Sequence, residues 1–140
     1  MKQITFALGL FAAVTALSLS MSAQAARSTT DAVYSADQAK RGQVVYNEQC
    51  SFCHGDDLKG SDVIPGLTGE AFNNVYKDKP VAELYTKINS SMPATSPGSL
   101  TPQQTADVIA YMFSVYKLPA GAADLPATPD ELKTITLVVP

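Results

Sequence analysis

Apolar positions recur along this chain at helical spacing, in stretches separated by glycine- and proline-rich segments. The first helix opens at Ser35, with Ser35 as N-cap and Asp37 in the first turn, where a carboxylate meets the positive end of the helix dipole. Its inward face reads Ala39, Gly42, Tyr46, Cys50 and Cys53. A glycine at position 42 costs about 1 kcal/mol relative to alanine. A helix carries that cost where another backbone must come close. A short second helix over 70–76 sets Phe72, Val75 and Tyr76 on one side. A third, over 81–90, buries Val81, Leu84, Tyr85 and Ile88 and carries Glu83 and Lys87 as an i, i+4 pair on its opposite face. It ends before Met92-Pro93, because the residue before a proline disfavours the helical region.

The last long helix has a written start. Thr101-Pro102-Gln103-Gln104 supplies an N-cap threonine, a proline at the first helical position and a glutamine that closes a capping box. Val108, Ile109, Met112, Val115 and Tyr116 form its apolar face, and it stops before Pro119. Thr128-Pro129-Asp130-Glu131 repeats the device for a helix of one or two turns, and Ile135 to Val139 reads as an extended segment laid against the body. These elements predict an all-α fold: a domain over 35–118, a flexible N-terminal arm over 26–34, and a C-terminal extension over 119–140 packed on the domain.

The stretch 55–80 departs from this economy. It contains Gly55, Gly60, Gly66 and Gly69 and only one short helix. So long a loop is uncommon in a compact domain unless it serves a function. Here it predicts a wall packed on a cofactor.

Residues 1–25 read as a secretory signal peptide: Lys2, an apolar run from Ile4 to Leu19, and Ala23-Gln24-Ala25 as the cleavage site. The run is shorter than the ~20 residues that span a bilayer. Retention as an uncleaved anchor is the alternative. Cleavage near Ala25 predicts an exported, periplasmic protein with no stable membrane insertion. The chain has 10 basic and 13 acidic residues, and Lys2 leaves with the signal, so nine face thirteen in the mature protein. With no basic excess or basic stripe, nucleic-acid binding is unsupported.

The chemistry sits in Cys50-Ser51-Phe52-Cys53-His54, which contains the only histidine. C-x-x-C-H is the attachment signature of c-type haem. Positions i, i+3 and i+4 share one helix face, so two thiols can form thioethers with the haem vinyl groups while the imidazole reaches iron. A thioredoxin-like pair needs a βαβ context, which is missing. A closed zinc site wants four ligands, and Cys and His number only three here. A Cys50–Cys53 disulfide would close almost no loop.

His54 leaves the other face of the iron to a methionine, a lysine, water or nothing. Met112 lies within the apolar face of the last helix and reads as core. Met92 lies in a charge-free loop bounded by prolines and is the preferred axial ligand. A nitrogen and a thioether together raise the reduction potential and close the iron to substrates.

On these residues the chain resembles class I cytochromes c over about 35–118. Gly42 and Tyr46 stand where the family has its first-helix glycine and aromatic. Asp107 to Met112 resembles the family's C-terminal helix, whose aromatic, here Tyr111, packs near that glycine. Ile64-Pro65-Gly66-Leu67 is similar to the family's Pro-x-Leu. The resemblance implies that the Pro65 carbonyl accepts a hydrogen bond from His54 and that Leu67 packs on the ring. Phe52, Tyr76, Ile88 and Tyr111 complete the candidate haem pocket. The run Met92 to Leu100, with Leu118-Pro119-Ala120-Gly121 and the tail, is similar to cytochromes that serve pyrroloquinoline-quinone alcohol dehydrogenases.

The resemblance implies one covalent haem c and no enzymatic reaction. It implies a monomeric one-electron carrier between a quinoprotein dehydrogenase and a terminal oxidase or another cytochrome. Two alternatives stay open: a tightly bound subunit of an oxidase or dehydrogenase complex, and a haem sensor or enzyme with a vacant sixth position. The net charge is acidic, unlike the basic haem edge of mitochondrial-type relatives, and the expected docking face around Ser51, Phe52 and Ala94 to Ser96 is uncharged.

Overall fold

A computed structural model describes residues 26–140, so the signal-peptide reading lies outside the described residues. Those residues form β1 (Arg27–Ser28), α1 (Ala36–Gln49), α2 (Ser51–His54), α3 (Glu70–Tyr76), α4 (Val81–Ser91), α5 (Pro102–Val115), α6 (Pro129–Leu132) and β2 (Ile135–Thr136). The all-α expectation holds, with only a two-residue parallel pairing of β1 and β2 beside the helices.

The crossing of α1 and α5 dominates the packing. α1 starts where Ser35 accepts a hydrogen bond from the Gln38 amide, and α5 starts with the full Thr101–Gln104 capping box. The two helices touch at Gly42. A Cβ there would lie 1.7 Å from the Asp107 carbonyl oxygen and 3.0 Å from the Tyr111 Cβ. The close backbone approach that the glycine implied is therefore present. Beside it the Tyr46 and Tyr111 rings lie 5.3 Å apart. Arg41 reinforces the crossing: its Nε donates to Asp107 Oδ2 at 3.1 Å, and Gln103 Nε2 donates to the same carboxylate at 2.7 Å.

The predicted first helix divides at Cys50, whose φ of −127° leaves the helical region. α1 therefore ends at Gln49, and the haem motif forms its own turn. Tyr46, fully buried, fixes that turn by donating its hydroxyl to the Gly55 carbonyl at 2.6 Å. The Val115 side chain, expected on the buried face of α5, is exposed at the helix end, while Phe113 is buried. Glu83 does not pair with Lys87. It pairs with Lys79 at 3.6 Å.

Residues 26–34, expected to be a flexible arm, are fixed. Ordering comes from the far end of the chain. Thr29 is buried and its hydroxyl both donates to the Val138 carbonyl at 2.6 Å and accepts from the Val138 amide at 2.9 Å. Val33 and Tyr34 are buried too, and the Tyr34 hydroxyl donates to the Leu118 carbonyl at 2.8 Å. The C-terminal segment folds onto the helices through buried Leu125, Leu132, Ile135, Leu137 and Val139. Gln38 pins Leu125 from both sides, donating to its carbonyl at 3.0 Å and accepting from its amide at 2.6 Å. Thr128 is the N-cap of α6 as expected, but its hydroxyl bonds the Glu131 carboxylate and not a backbone amide. Among the described residues no helix is long and apolar enough to cross a membrane.

Candidate haem site

α2 is one turn. The Cys53 and His54 amides both donate to the Cys50 carbonyl, at 3.1 and 3.0 Å. This closes the C-x-x-C-H run so that Cys50, Cys53 and His54 line one cavity of about 340 Å³, a size typical of small-molecule sites. Neither cysteine is in a disulfide. Burial, with a smaller contribution from Cys53, pushes the Cys50 thiol up to about 11. That is the opposite of the lowered thiol expected of a thioredoxin-like redox pair.

The chain then turns back on itself. Gly55, at φ +78°, ends α2, and the Gly60 amide donates to the His54 carbonyl at 2.8 Å. Gly60 sits at φ +70°, and a Cβ there would lie 2.3 Å from the Ile64 carbonyl oxygen, so only glycine fits this reversal. The Leu67 amide donates to the Leu58 carbonyl at 2.7 Å, and Leu58 is buried in the core. The loop is therefore a folded element in its own right, and its far side, Ile64 to Leu67, lines the cavity.

Its main consequence is at Pro65. The Pro65 carbonyl lies 2.9 Å from His54 Nδ1. A carbonyl only accepts, so Nδ1 carries the proton and the Nε2 lone pair is free for a metal. Such a bond also fixes the tautomer and orientation of the ring.

Helices α3, α4 and α5 supply the remaining walls, through Phe72, Val75 and Tyr76, through Leu84 and Ile88, and through Val108 and Met112. The Phe72 and Tyr76 rings lie 4.9 Å apart, and burial raises the Tyr76 phenol above its ordinary value. Met92, the C-cap of α4, lines the same cavity with Pro93, Ala94 and Thr95. Asn89, one turn before Met92, ties α4 to α5 by donating from Nδ2 to Thr105 Oγ1 at 3.1 Å.

The cavity thus joins Cys50, Cys53, His54, Pro65, Leu67, Tyr76, Ile88 and Met92, and omits two expected members. Phe52 is fully exposed. It lies two residues after Cys50, and at about 100° per residue its side chain leaves the helix face opposite the thiols. Tyr111 packs on Tyr46 and does not line the cavity, since its side of α5 faces α1. Met112 is a wall residue besides being core, and the helical register of Val108 and Met112 could have indicated it. Phe72 lies one turn from Tyr76 and was legible in the same way.

The donors fit a covalently attached haem. Two unpaired thiols and a tautomer-fixed imidazole meet at one side of a mostly apolar cavity, and a thioether lines it on a separate segment.

A family model described as "Cytochrome C oxidase, cbb3-type, subunit III" matches residues 37–112. Among solved structures, the chain is similar to the crystal structure of the sulfane dehydrogenase SoxCD from Paracoccus pantotrophus. The TM-score is 0.56 at 20% identity, over 94% of this chain and 68% of that one. No curated protein matches the chain.

Proposed function

Because the chain belongs to the cytochrome c family that includes cbb3-type oxidase subunit III, we propose that it is a periplasmic one-electron carrier holding one haem c between His54 and Met92. Cytochrome c domains are electron-transfer haem proteins. The finer reading rests above all on the His54–Pro65 contact of 2.9 Å, which leaves a free nitrogen lone pair in the cavity that Met92 also lines.

Haem bound there supplies a single iron that exchanges one electron between Fe(III) and Fe(II). Cys50 and Cys53 anchor it through thioethers. His54 offers Nε2 while Pro65 holds the Nδ1 proton. Met92 offers a soft sulfur that favours Fe(II). Were His54 and Met92 both to hold the iron, no place would remain on it for a substrate or for oxygen, which favours electron transfer over catalysis. Phe72, Leu84, Ile88 and Val108 line the cavity with apolar surface and would keep water from the bound group, lowering the reorganisation that a change of charge demands. The proposed electron donor is a quinoprotein dehydrogenase and the acceptor a terminal oxidase or another cytochrome. The partner surface includes exposed Phe52 and the uncharged Ala94 and Thr95.

A bound-subunit role is the second reading. It is favoured by the family description, which names an oxidase subunit. Copurification with an oxidase or dehydrogenase at fixed stoichiometry in high salt would establish it over the diffusing carrier.

The test is made on protein matured with its haem. Acid–acetone should leave the pigment on the chain. The oxidised spectrum should show the thioether-to-iron charge-transfer band, and Met92→Ala should abolish it, lower the potential and open the reduced protein to carbon monoxide. Extractable pigment refutes covalent attachment. An unchanged band in Met92→Ala refutes the proposed ligand.

A further inference from the structure

Among the described residues, the one lysine, arginine or carboxylate side chain that lines the cavity is Lys87, on α4. Its position is not accounted for by ion pairing. Glu83, one turn earlier and the natural partner for Lys87 on a helix, is engaged by Lys79 at 3.6 Å. Among the described residues no carboxylate lies within ion-pair reach of Lys87, whereas Lys40, Lys59, Lys79 and Lys133 each have one. Lys87 also lines the neighbouring open groove with Thr86, Ser90 and Lys133, so it stands on the rim between cavity and solvent. An exposed ammonium on an apolar stem can reach from such a rim to an anion at the cavity mouth.

Haem supplies that anion. Its two propionates sit on the edge of the macrocycle across from the vinyl groups. Thioethers at Cys50 and Cys53 would hold the vinyl edge at α2, and Lys87 stands on a different helix of the same cavity. We propose that the Lys87 ammonium is the cationic partner of a haem propionate and so sets which edge of the cofactor lies along α4. This rests on the site being a haem cavity. A cation there opposes the extra positive charge of Fe(III), so Lys87 also raises the potential.

The experiment compares wild type, K87Q, K87E and K87R with K133Q, all carrying haem. Lys133 lines the outer groove but not the cavity, and it pairs with Asp130 at 2.7 Å, so its loss changes net charge equally without touching the site. K87Q should weaken reduction of the iron about three- to tenfold, a tenfold loss being about 59 mV for one electron. K87E should weaken it further, and K87R should restore it. Redox-difference infrared spectra should show the propionate carboxylate bands displaced in K87Q and K87E but not in K133Q. Equal potentials in K87Q and K133Q, with unmoved carboxylate bands, would overturn the assignment of Lys87. Absence of covalent haem from the wild type would instead overturn the cavity reading, so the two failures are told apart.

Discussion

Replacing Gly42 by alanine tests the helix crossing on which the site is built. The added Cβ would fall 1.7 Å from the Asp107 carbonyl oxygen and 3.0 Å from the Tyr111 Cβ. Non-bonded carbon contacts settle near 3.5 Å, so α1 and α5 must part by about 1.5–2 Å. The near atom belongs to a helical backbone and cannot swing aside as a side chain would. Overpacking of this kind costs about 1–3 kcal/mol and sometimes more, and the rigid neighbour argues for about 3–4. Parting the helices also strains the Arg41–Asp107 bond of 3.1 Å. Against this, alanine gains about 1 kcal/mol in helix propensity. The net loss is about 2–3 kcal/mol, or a fall in Tm of about 8–15 °C for a domain of this size. Thermal unfolding of the haem-bearing protein, followed by far-UV circular dichroism, reads it directly. A Tm at or above that of wild type would refute the reasoning, because propensity would then outweigh the contact.

Three further outcomes follow from the same structure. Tyr46→Phe removes the donor to the Gly55 carbonyl and should cost about 1–2 kcal/mol in chemical denaturation; a loss below about 0.3 kcal/mol would mean that this bond does not hold the haem turn. The Asp124 carboxyl is held below its ordinary value by the Ser35 hydroxyl first and then by Arg41, so its contribution is present above the unfolded value near ~3.9 and is lost as pH falls through the lower folded value; Asp124→Asn should lower Tm at pH 7 and shrink the difference between pH 7 and pH 3, and an unchanged difference would count against that linkage. Deleting 135–140 removes buried Ile135, Leu137 and Val139, worth about 5–8 kcal/mol together, so the shortened chain should fail to fold cooperatively, and a cooperative melt within a few degrees of wild type would contradict the packing.

The parts legible in the sequence are those whose cause is local or chemical. The Thr101–Gln104 box writes the start of α5 within four residues, and the structure forms both of its bonds. Gly42 announced a close approach because nothing else explains a glycine there. The C-x-x-C-H run carried its chemistry whatever the fold. The illegible parts depend on partners distant along the chain. Thr29 looks like a loop residue until Val138 arrives. Gln38 is polar on a helix and is buried because the backbone of Leu125 needs both its amide atoms. The pairing of Glu83 with Lys79 frees Lys87, a choice that helix spacing alone would have made differently. Phe52 was an error of direction: an aromatic between the two cysteines of the motif invites a pocket reading, but two residues of helix turn it outward.

This division has a mechanical consequence. The cavity draws on the haem turn, the 64–67 loop, α3, α4 with its C-cap and α5, and no residue after Met112 lines it. The arm and tail instead bind each other and the helices, through Thr29, Tyr34 and Gln38 and the buried aliphatics after Leu118. The stability that the arm and tail supply is thus carried by residues apart from the cavity. Damage to the tail should raise the fraction unfolded while the surviving protein keeps an unaltered haem spectrum, because unfolding is cooperative in so small a domain. Damage at Lys87 should alter potential with little change in melting, because its exposed side chain lines the cavity rim and takes no part in the buried core, and damage at Met92 should alter the spectrum beyond any change in melting. Some residues belong to both sets: Val108 and Met112 are buried on α5 and line the cavity, and Tyr46 packs under the crossing and holds the carbonyl of Gly55 at the end of the haem turn. Stability and spectrum should therefore move together at those residues, as they should not at the tail or at Met92.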